Sequence, residues 1–477
     1  MIAWLAAAWL LASPARADSA PARPNIIMIS LGNVGIRHMS AYGYGHPTTP
    51  WLAAFAKGAV LFDHAYSPSS WTLPVAASVF TGLPPRQHGL MNRYENNHLN
   101  PALPTLAQTL ADAGYMTAAF TGGLDYDPVF GHLRGFQTIA RNPNFEHIGF
   151  STLEAQRWLK RRAKQPFFVF LHGYDAHCPF VPDHEFLGAI YGNHEPLRPV
   201  TCYRGYEEGI STGPLQVEFI PEWCRGLPSC PAVKRVTLEP GLQERLEQLY
   251  DETVLQEDAA VGRFLDSIPE DVMKNTIVVV YGDHGEMFAK HGRFGRNGVI
   301  RGVLYDDVIR VPLMIKAPGL AARRVSSPVE LMDLARTILE LAGERAPDAL
   351  GGASLAAAAR TGAAVRDRAH AGLLFYGWSE NGSVVARSEV DAVTDTRWKL
   401  IEEEFYDASG RPTRRTRELY DVAADPEELQ DLSAAQPEVA TKLDGWLQSW
   451  RSAKPEAPGT VPIPDPVKRA ARNFGYW

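Results

Sequence analysis

Positive charge is in short supply in this chain: 47 Lys and Arg stand against 54 Asp and Glu, a formal net charge of −7 over 477 residues. That balance argues against nucleic acid or an anionic membrane surface as the main partner. Long apolar runs are missing too. The run from Ile2 to Ala12 is shorter than the roughly 20 residues a membrane helix needs, and nothing later resembles a span. Cysteine is scarce: the four, Cys178, Cys202, Cys224 and Cys230, lie in one stretch and fit no standard zinc spacing. Apolar residues are not lacking. At 45% apolar and 21% charged, the chain is no disordered tail and has material for one large domain plus a smaller one.

What is present begins with an export signal. The apolar run is followed by Pro14 and the small-residue pattern Ala15-Arg16-Ala17, which suits cleavage before Asp18. Residues 1–17 therefore read as a signal peptide, although its leading segment holds no Lys or Arg; a buried helix is the competing reading. Export places the mature chain in a secreted or periplasmic setting, where an even number of cysteines suggests disulfides. Three pairings are open, and zinc is the rival explanation.

Strand-like apolar runs alternate with helical segments. Asn25 to Leu31, Tyr115 to Thr121, Phe167 to His172, Thr276 to Tyr281 and Val311 to Ala317 read as buried strands. Trp51 to Lys57 and Leu103 to Ala113 read as short helices. Gly241 to Ser267 reads as a long amphipathic one, with Leu242, Leu246, Leu249, Val261 and Phe264 as its stripe. Such alternation predicts an α/β fold: a large, mostly parallel sheet sandwiched by helices. The expected division is a main domain over 24–350, with a Pro-, Gly- and aromatic-rich insertion at 182–238 that holds three of the cysteines. A smaller C-terminal α+β domain follows over 351–477. It has strand-like runs at Ala369 to Phe375 and Arg397 to Glu402, and a helix around Glu438 to Trp450.

Ligands in open α/β sheets sit where strands end. After Thr276 to Tyr281 comes Gly282-Asp283-His284-Gly285-Glu286, which can aim a carboxylate and an imidazole at one cation; the plainer reading is a capped turn. After Phe167 to His172 comes Tyr174-Asp175-Ala176-His177, where His177 could donate to an anionic substrate or protonate a leaving group, or be merely structural. Thr72, in Ser69-Ser70-Trp71-Thr72-Leu73-Pro74, precedes a helix, so it reads either as a cap or as a hydroxyl nucleophile where the helix dipole favours an anion.

In this order the pieces resemble the sulfatases of the alkaline phosphatase superfamily. Pro24-Asn25-Ile26-Ile27, Tyr42-Gly43, Thr49-Pro50, Phe62 to Tyr66, Thr81-Gly82 and His88-Gly89 match the family's N-terminal pattern. Asp283-His284-Gly285-Glu286, Arg310-Val311-Pro312-Leu313 and Pro318-Gly319 match its later core, and Leu419-Tyr420-Asp421, Asp425-Pro426-Glu427-Glu428 and Asp431-Leu432 its C-terminal signature. The resemblance implies an alkaline phosphatase-like fold and hydrolysis of sulfate or phosphate esters of a small molecule or glycan. It implies catalytic roles for Thr72, His177 and His291 and substrate contacts from His88 and Arg296. It also implies a divalent cation, calcium being expected, on Asp283, His284 and Asn33.

The sequence departs from the family where the chemistry is. Gly32 and Asn33 stand where paired Asp residues hold the cation, and loss of carboxylates should cost a hard cation much of its affinity. Thr72 stands at the position of the Cys or Ser that becomes formylglycine, and Thr cannot form that aldehyde; phosphoryl-transferring relatives use Thr or Ser directly. Val75 and Ala76 replace Ser and a basic residue, and Gly122-Gly123 replaces a Lys. Arg296 stands where relatives often have His, and Arg37 where some have Asp. Two expectations follow: an enzyme with a rearranged site, in which Arg37 or Arg296 contacts substrate oxygens, or a catalytically degenerate protein that binds anionic glycans or a protein partner.

Overall fold

The structure, a computed structural model of the 477-residue chain, describes residues 23–91, 93, 97–142, 147–162, 165–178, 180–195, 215–217, 236–238, 240–288, 290–292, 297–298, 301–378, 384–407, 409–453 and 459–468. The expected signal peptide, Cys202, Cys224, Cys230, Arg296 and most of the 182–238 insertion lie outside the described residues. Cys178 is disulfide-bonded, with its partner also outside them.

Eight strands form the main sheet: β1 (Asn25–Leu31), β2 (Val60–Phe62), β3 (Met116–Gly122), β4 (Thr138–Asn142), β5 (Phe167–His172), β6 (Thr276–Gly282), β7 (Leu313–Lys316) and β8 (Arg323–Val325). Their order is β8-β2-β7-β6-β1-β5-β3-β4. The strands from β6 to β4 pair in parallel, whereas β7 runs antiparallel to both β6 and β2. The mostly parallel sheet expected from the sequence therefore carries one reversed strand.

Side chains alternate faces along a strand, and both faces here are covered. Ile26 and Met28 of β1 enter one apolar layer with Phe168, Phe170, Ile277 and Val279. Val75 and Val79 of helix α1 (Thr72–Thr81) close that layer. Ile27, Ile29 and Leu31 enter the opposite layer with Val169, Leu171, Val278 and Val280. That layer is covered by Leu246, Leu249, Val261 and Phe264 of the long helix α3 (Pro240–Asp266) and by helix α2 (Ile148–Arg162). Each fully buried aliphatic or Phe side chain contributes about 1.5–3 kcal/mol, so these two layers fix where the strand ends lie.

The C-terminal part is a four-stranded antiparallel sheet: β9 (Ala369–Trp378), β10 (Val384–Thr394), β11 (Trp398–Asp407) and β12 (Pro412–Asp421), paired in that order. Helix α4 (Pro437–Arg451) covers it through Ala440, Leu443 and Leu447. One fully buried cation ties the sheet to the rest of the molecule. Lys399 of β11 sets its Nζ 2.8 Å from Asp306 Oδ1 and 2.8 Å from Glu428 Oε1. Among the described residues no helix is long and apolar enough to cross a membrane.

Candidate active site

β1, β5 and β6 are adjacent and parallel, with Ser30 level with His172 and Leu31 level with Gly282. Their carboxyl ends deliver Gly32-Asn33, Gly173-Tyr174 and Asp283-His284 to one edge of the sheet, the place where this architecture binds ligands. Helix α1 brings Thr72 there as its first residue. Trp71 is the extended residue before the helix and makes no side-chain cap. The Thr72 hydroxyl is not used as a cap either. It donates to Asp283 Oδ2 at 2.9 Å and lies 3.3 Å from His284 Nε2.

Asp283 is held from three sides. Its Oδ1 accepts the backbone N–H of Asn33 at 2.8 Å and of His284 at 2.9 Å, while Oδ2 takes the Thr72 hydroxyl. Burial raises its pKa, opposed by nearby His172 and by these donors. His284 Nδ1 is 3.1 Å from the Gly285 carbonyl oxygen. A carbonyl can only accept, so Nδ1 carries the proton and Nε2 turns its lone pair toward Thr72. His172, also buried, bonds Ser30 Oγ at 3.1 Å through Nδ1; burial lowers its pKa to about 4, which keeps it neutral at physiological pH. Its Nε2 has no hydrogen-bond partner among the described residues.

The end of β1 explains the missing carboxylate. A Cβ at residue 32 would lie 2.0 Å from the Gly173 carbonyl oxygen and 3.2 Å from Cε1 of His172, so no side chain fits there. Asn33 adopts φ 67°, a left-handed conformation that Asn tolerates better than most residues. Its side-chain amide donates to Glu286 Oε2 at 2.6 Å and to the Ala176 carbonyl at 2.7 Å. Helix α3 supplies two further partners. Glu257 Oε1 accepts the Gly32 N–H at 3.1 Å, and the Tyr250 hydroxyl donates to the Asn33 carbonyl at 2.7 Å. Burial, with Asp175 and Asp283 near, pushes the Glu257 carboxyl well above the usual carboxylate range.

The structure thus brings Thr72, Asp283, His284 and Asn33 together. His177 adjoins them through Tyr174, whose ring centroid is 5.4 Å away, and its Nδ1 is 2.6 Å from the Cys178 carbonyl oxygen. Asp175 caps helix α2, taking the Ile148 N–H at 2.6 Å. The structure places the other expected residues as follows. His88 is fully buried, with Nε2 3.0 Å from Ser78 Oγ and Nδ1 accepting the Leu90 N–H at 3.0 Å. Burial drives its pKa down to about 3, so it is a neutral packing group and not a cationic substrate contact. The His291 ring lies flat on Tyr305, with centroids 3.9 Å apart, at a backbone φ of 55°. Arg37, weighed above as a substrate contact, pairs with Asp307 at 3.1 Å and with Glu427.

Comparison with known proteins decides the family. The sulfatase family model matches residues 24–344, and the model of the N-sulphoglucosamine sulphohydrolase C-terminal region matches residues 292–452. The chain belongs to the sulfatase family. It is 24% identical over 446 residues to the Delta 4,5-hexuronate-2-O-sulfatase of Bacteroides thetaiotaomicron, spanning 87% of this chain and 86% of that one. It is 24% identical over 470 residues to arylsulfatase K of Gallus gallus, spanning 90% and 82%. Among solved structures, a protein in complex with its substrate D-glucosamine-2-N,6-O-disulfate superposes with a TM-score of 0.67 at 21% identity, covering 90% of this chain and 98% of that one. The phosphonate monoester hydrolase of Agrobacterium radiobacter gives a TM-score of 0.66 at 20% identity, covering 90% and 96%. The fold is therefore that of the sulfatases in the alkaline phosphatase superfamily.

Sulfatases hold a divalent cation, and the side chains here do not fit one. Among the described residues no three His, Cys, Asp or Glu side chains converge on a point that could hold a metal ion. Asp283 is the one carboxylate in the set Asn33, Thr72, Asp283 and His284, and its oxygens already serve protein donors. Calcium prefers six to eight oxygen ligands, several of them charged. Asp283, His284 and Asn33, expected to hold calcium, form a hydrogen-bonded group around the Thr72 hydroxyl.

Proposed function

We propose that this sulfatase-family chain hydrolyses sulfate or phosphate esters with Thr72 as the nucleophile. The observation that carries the reading is the Thr72 hydroxyl between Asp283 Oδ2 at 2.9 Å and His284 Nε2 at 3.3 Å. A hydroxyl so placed has a base in reach and a third group, the Gly285 carbonyl, fixing the tautomer of that base. Thr72 Oγ1 attacks sulfur or phosphorus as its proton turns from Asp283 Oδ2 to His284 Nε2, which takes it. The bond to the leaving oxygen breaks, and His177 supplies that oxygen with a proton. Water then attacks the Thr72 ester and gives a proton back to His177, while the bond to Oγ1 breaks, His284 returns its proton to Oγ1, and the inorganic anion leaves. The N-terminus of helix α1, where Thr72 is the first residue, adds a favourable dipole for the anion.

The setting follows the same reading: an exported chain cleaved before Asp18, with disulfides in the 182–238 insertion and an anionic extracellular or periplasmic substrate. Hydrolysis of p-nitrophenyl sulfate and p-nitrophenyl phosphate tests it. Thr72→Val should lower turnover by at least about a thousandfold, and intact-mass measurement should find an ester on Thr72 in the native chain only. Turnover that survives Thr72→Val would sink the nucleophile role. One observation favours a second reading, a degenerate site that binds anionic glycans or a protein partner: the closure of position 32 to any side chain. Tight binding of a sulfated oligosaccharide without release of sulfate would support it.

A further inference from the structure

Tyr174 occupies a position next to the nucleophile that its sequence context does not announce. It follows β5 by two residues and is buried. Its ring is pinned on three sides. The His172 ring stands edge-on at 4.8 Å and the His177 ring at 5.4 Å. On the third side is Gly123, with φ 76°, where a Cβ would lie 2.2 Å from the ring at Cε2 and 2.8 Å from the hydroxyl. A side chain at 123 and the Tyr174 ring are mutually exclusive, so the glycine reserves the space for the phenol.

The hydroxyl that this packing fixes lies beside Thr72, within electrostatic reach of Asp283, Asp125 and Arg93. Arg93 is itself buried and tied to Asp125 by two hydrogen bonds of 2.6 and 2.7 Å, with its guanidinium 4.8 Å from the Trp71 ring centroid. Burial raises the Tyr174 pKa well above that of a free phenol, so the group keeps its proton and remains a donor. A rigid donor beside a nucleophile serves the charge that develops on the reacting group, because it needs no reorganisation when the reaction occurs.

We propose that the Tyr174 hydroxyl is a catalytic hydrogen-bond donor to the non-bridging oxygens of the ester attacked by Thr72. This rests on the nucleophile reading of Thr72 and adds a further group that touches the reacting atoms.

The test compares the native protein with Tyr174→Phe and Thr72→Val in two assays. One is turnover of p-nitrophenyl sulfate and p-nitrophenyl phosphate; the other is calorimetric binding of orthovanadate, an oxyanion probe. Tyr174→Phe keeps the ring over Gly123, so its melting temperature should match the native one. Its turnover should fall about 10²–10³-fold, the usual cost of one such donor, and its vanadate affinity should weaken about tenfold. Should Tyr174→Phe melt early, a ring-fluorinated tyrosine at 174 keeps the shape and sharpens the donor, and vanadate affinity should then rise. Native turnover and affinity in Tyr174→Phe, with turnover lost in Thr72→Val, overturn the Tyr174 role and leave Thr72 standing. A native protein that neither binds vanadate nor cleaves either ester overturns both.

Discussion

At the scale of single residues, the chemistry turns on what fills the space of absent groups. Gly32 is the sharpest case. The sequence shows that a carboxylate is missing, but not that the Gly173 carbonyl oxygen has taken its place, 2.0 Å from where a Cβ would be. Restoring Asp at this position should therefore not rebuild a cation site. Gly32→Asp is expected to destabilise the fold by about 3 kcal/mol or more through overpacking at the junction of β1 and β5, read as a lower urea midpoint with no gain in calcium affinity. The meeting of Asp283, His284 and Asn33 was legible because motif residues at strand ends converge whenever the strands are parallel neighbours; Thr72 arrives instead on helix α1. The role of His88 was not, because a buried neutral imidazole and a substrate-binding one look alike in a sequence.

At the scale of elements, the buried strands were readable and the charged ones were not. Asn25–Leu31 and Phe167–His172 are nearly continuous apolar runs, the signature of strands covered on both faces. β10 and β12 carry charge in place of that signature, and ion pairs hold it. Glu402 takes Arg417 at 2.7 Å and Arg451 at 2.9 Å, and Asp391 takes Arg86 and Arg451, each at 2.6 Å. Helix α3 hid a different feature. Its apolar stripe runs through Leu246, Tyr250, Val254, Val261 and Phe264, and Glu257 falls on that stripe at helical spacing. An acid at that position signals a buried partner, which turns out to be the Gly32 N–H.

The Glu257 carboxyl gives a pH test at this scale. Its pKa is raised above the ordinary 4.5, so the stability it confers is fully present below about 4.5 and is lost as pH rises through the folded-state value. Glu257→Gln mimics the protonated form. The variant should match the native protein in urea midpoint near pH 4.5 and exceed it progressively at higher pH. A native-minus-variant difference that stays flat across that range would show that Glu257 does not change protonation on folding.

At the scale of the whole molecule, the fold class and the extra C-terminal sheet were both visible in the alternation of the sequence. The way they are joined was not. Lys399 is enclosed, with Asp306 and Glu428 as its partners, and breaking a buried pair leaves an uncompensated charge. Lys399→Ala should cost about 3–5 kcal/mol, seen as a lowered midpoint for both sheets together in a single unfolding transition. Loss of the C-terminal sheet alone, with the main sheet unaffected, would mean the lysine does not couple them.

That lysine also bears on how the chain is made. Asp306 leaves the ribosome 93 residues ahead of Lys399, and Glu428 follows later still. Until β11 is made, Asp306 has Arg310 at 3.9 Å as a counter-charge but not the closer Lys399. A product cut short before β11 would carry every residue of the Thr72 group and still lack the lysine that joins the two sheets.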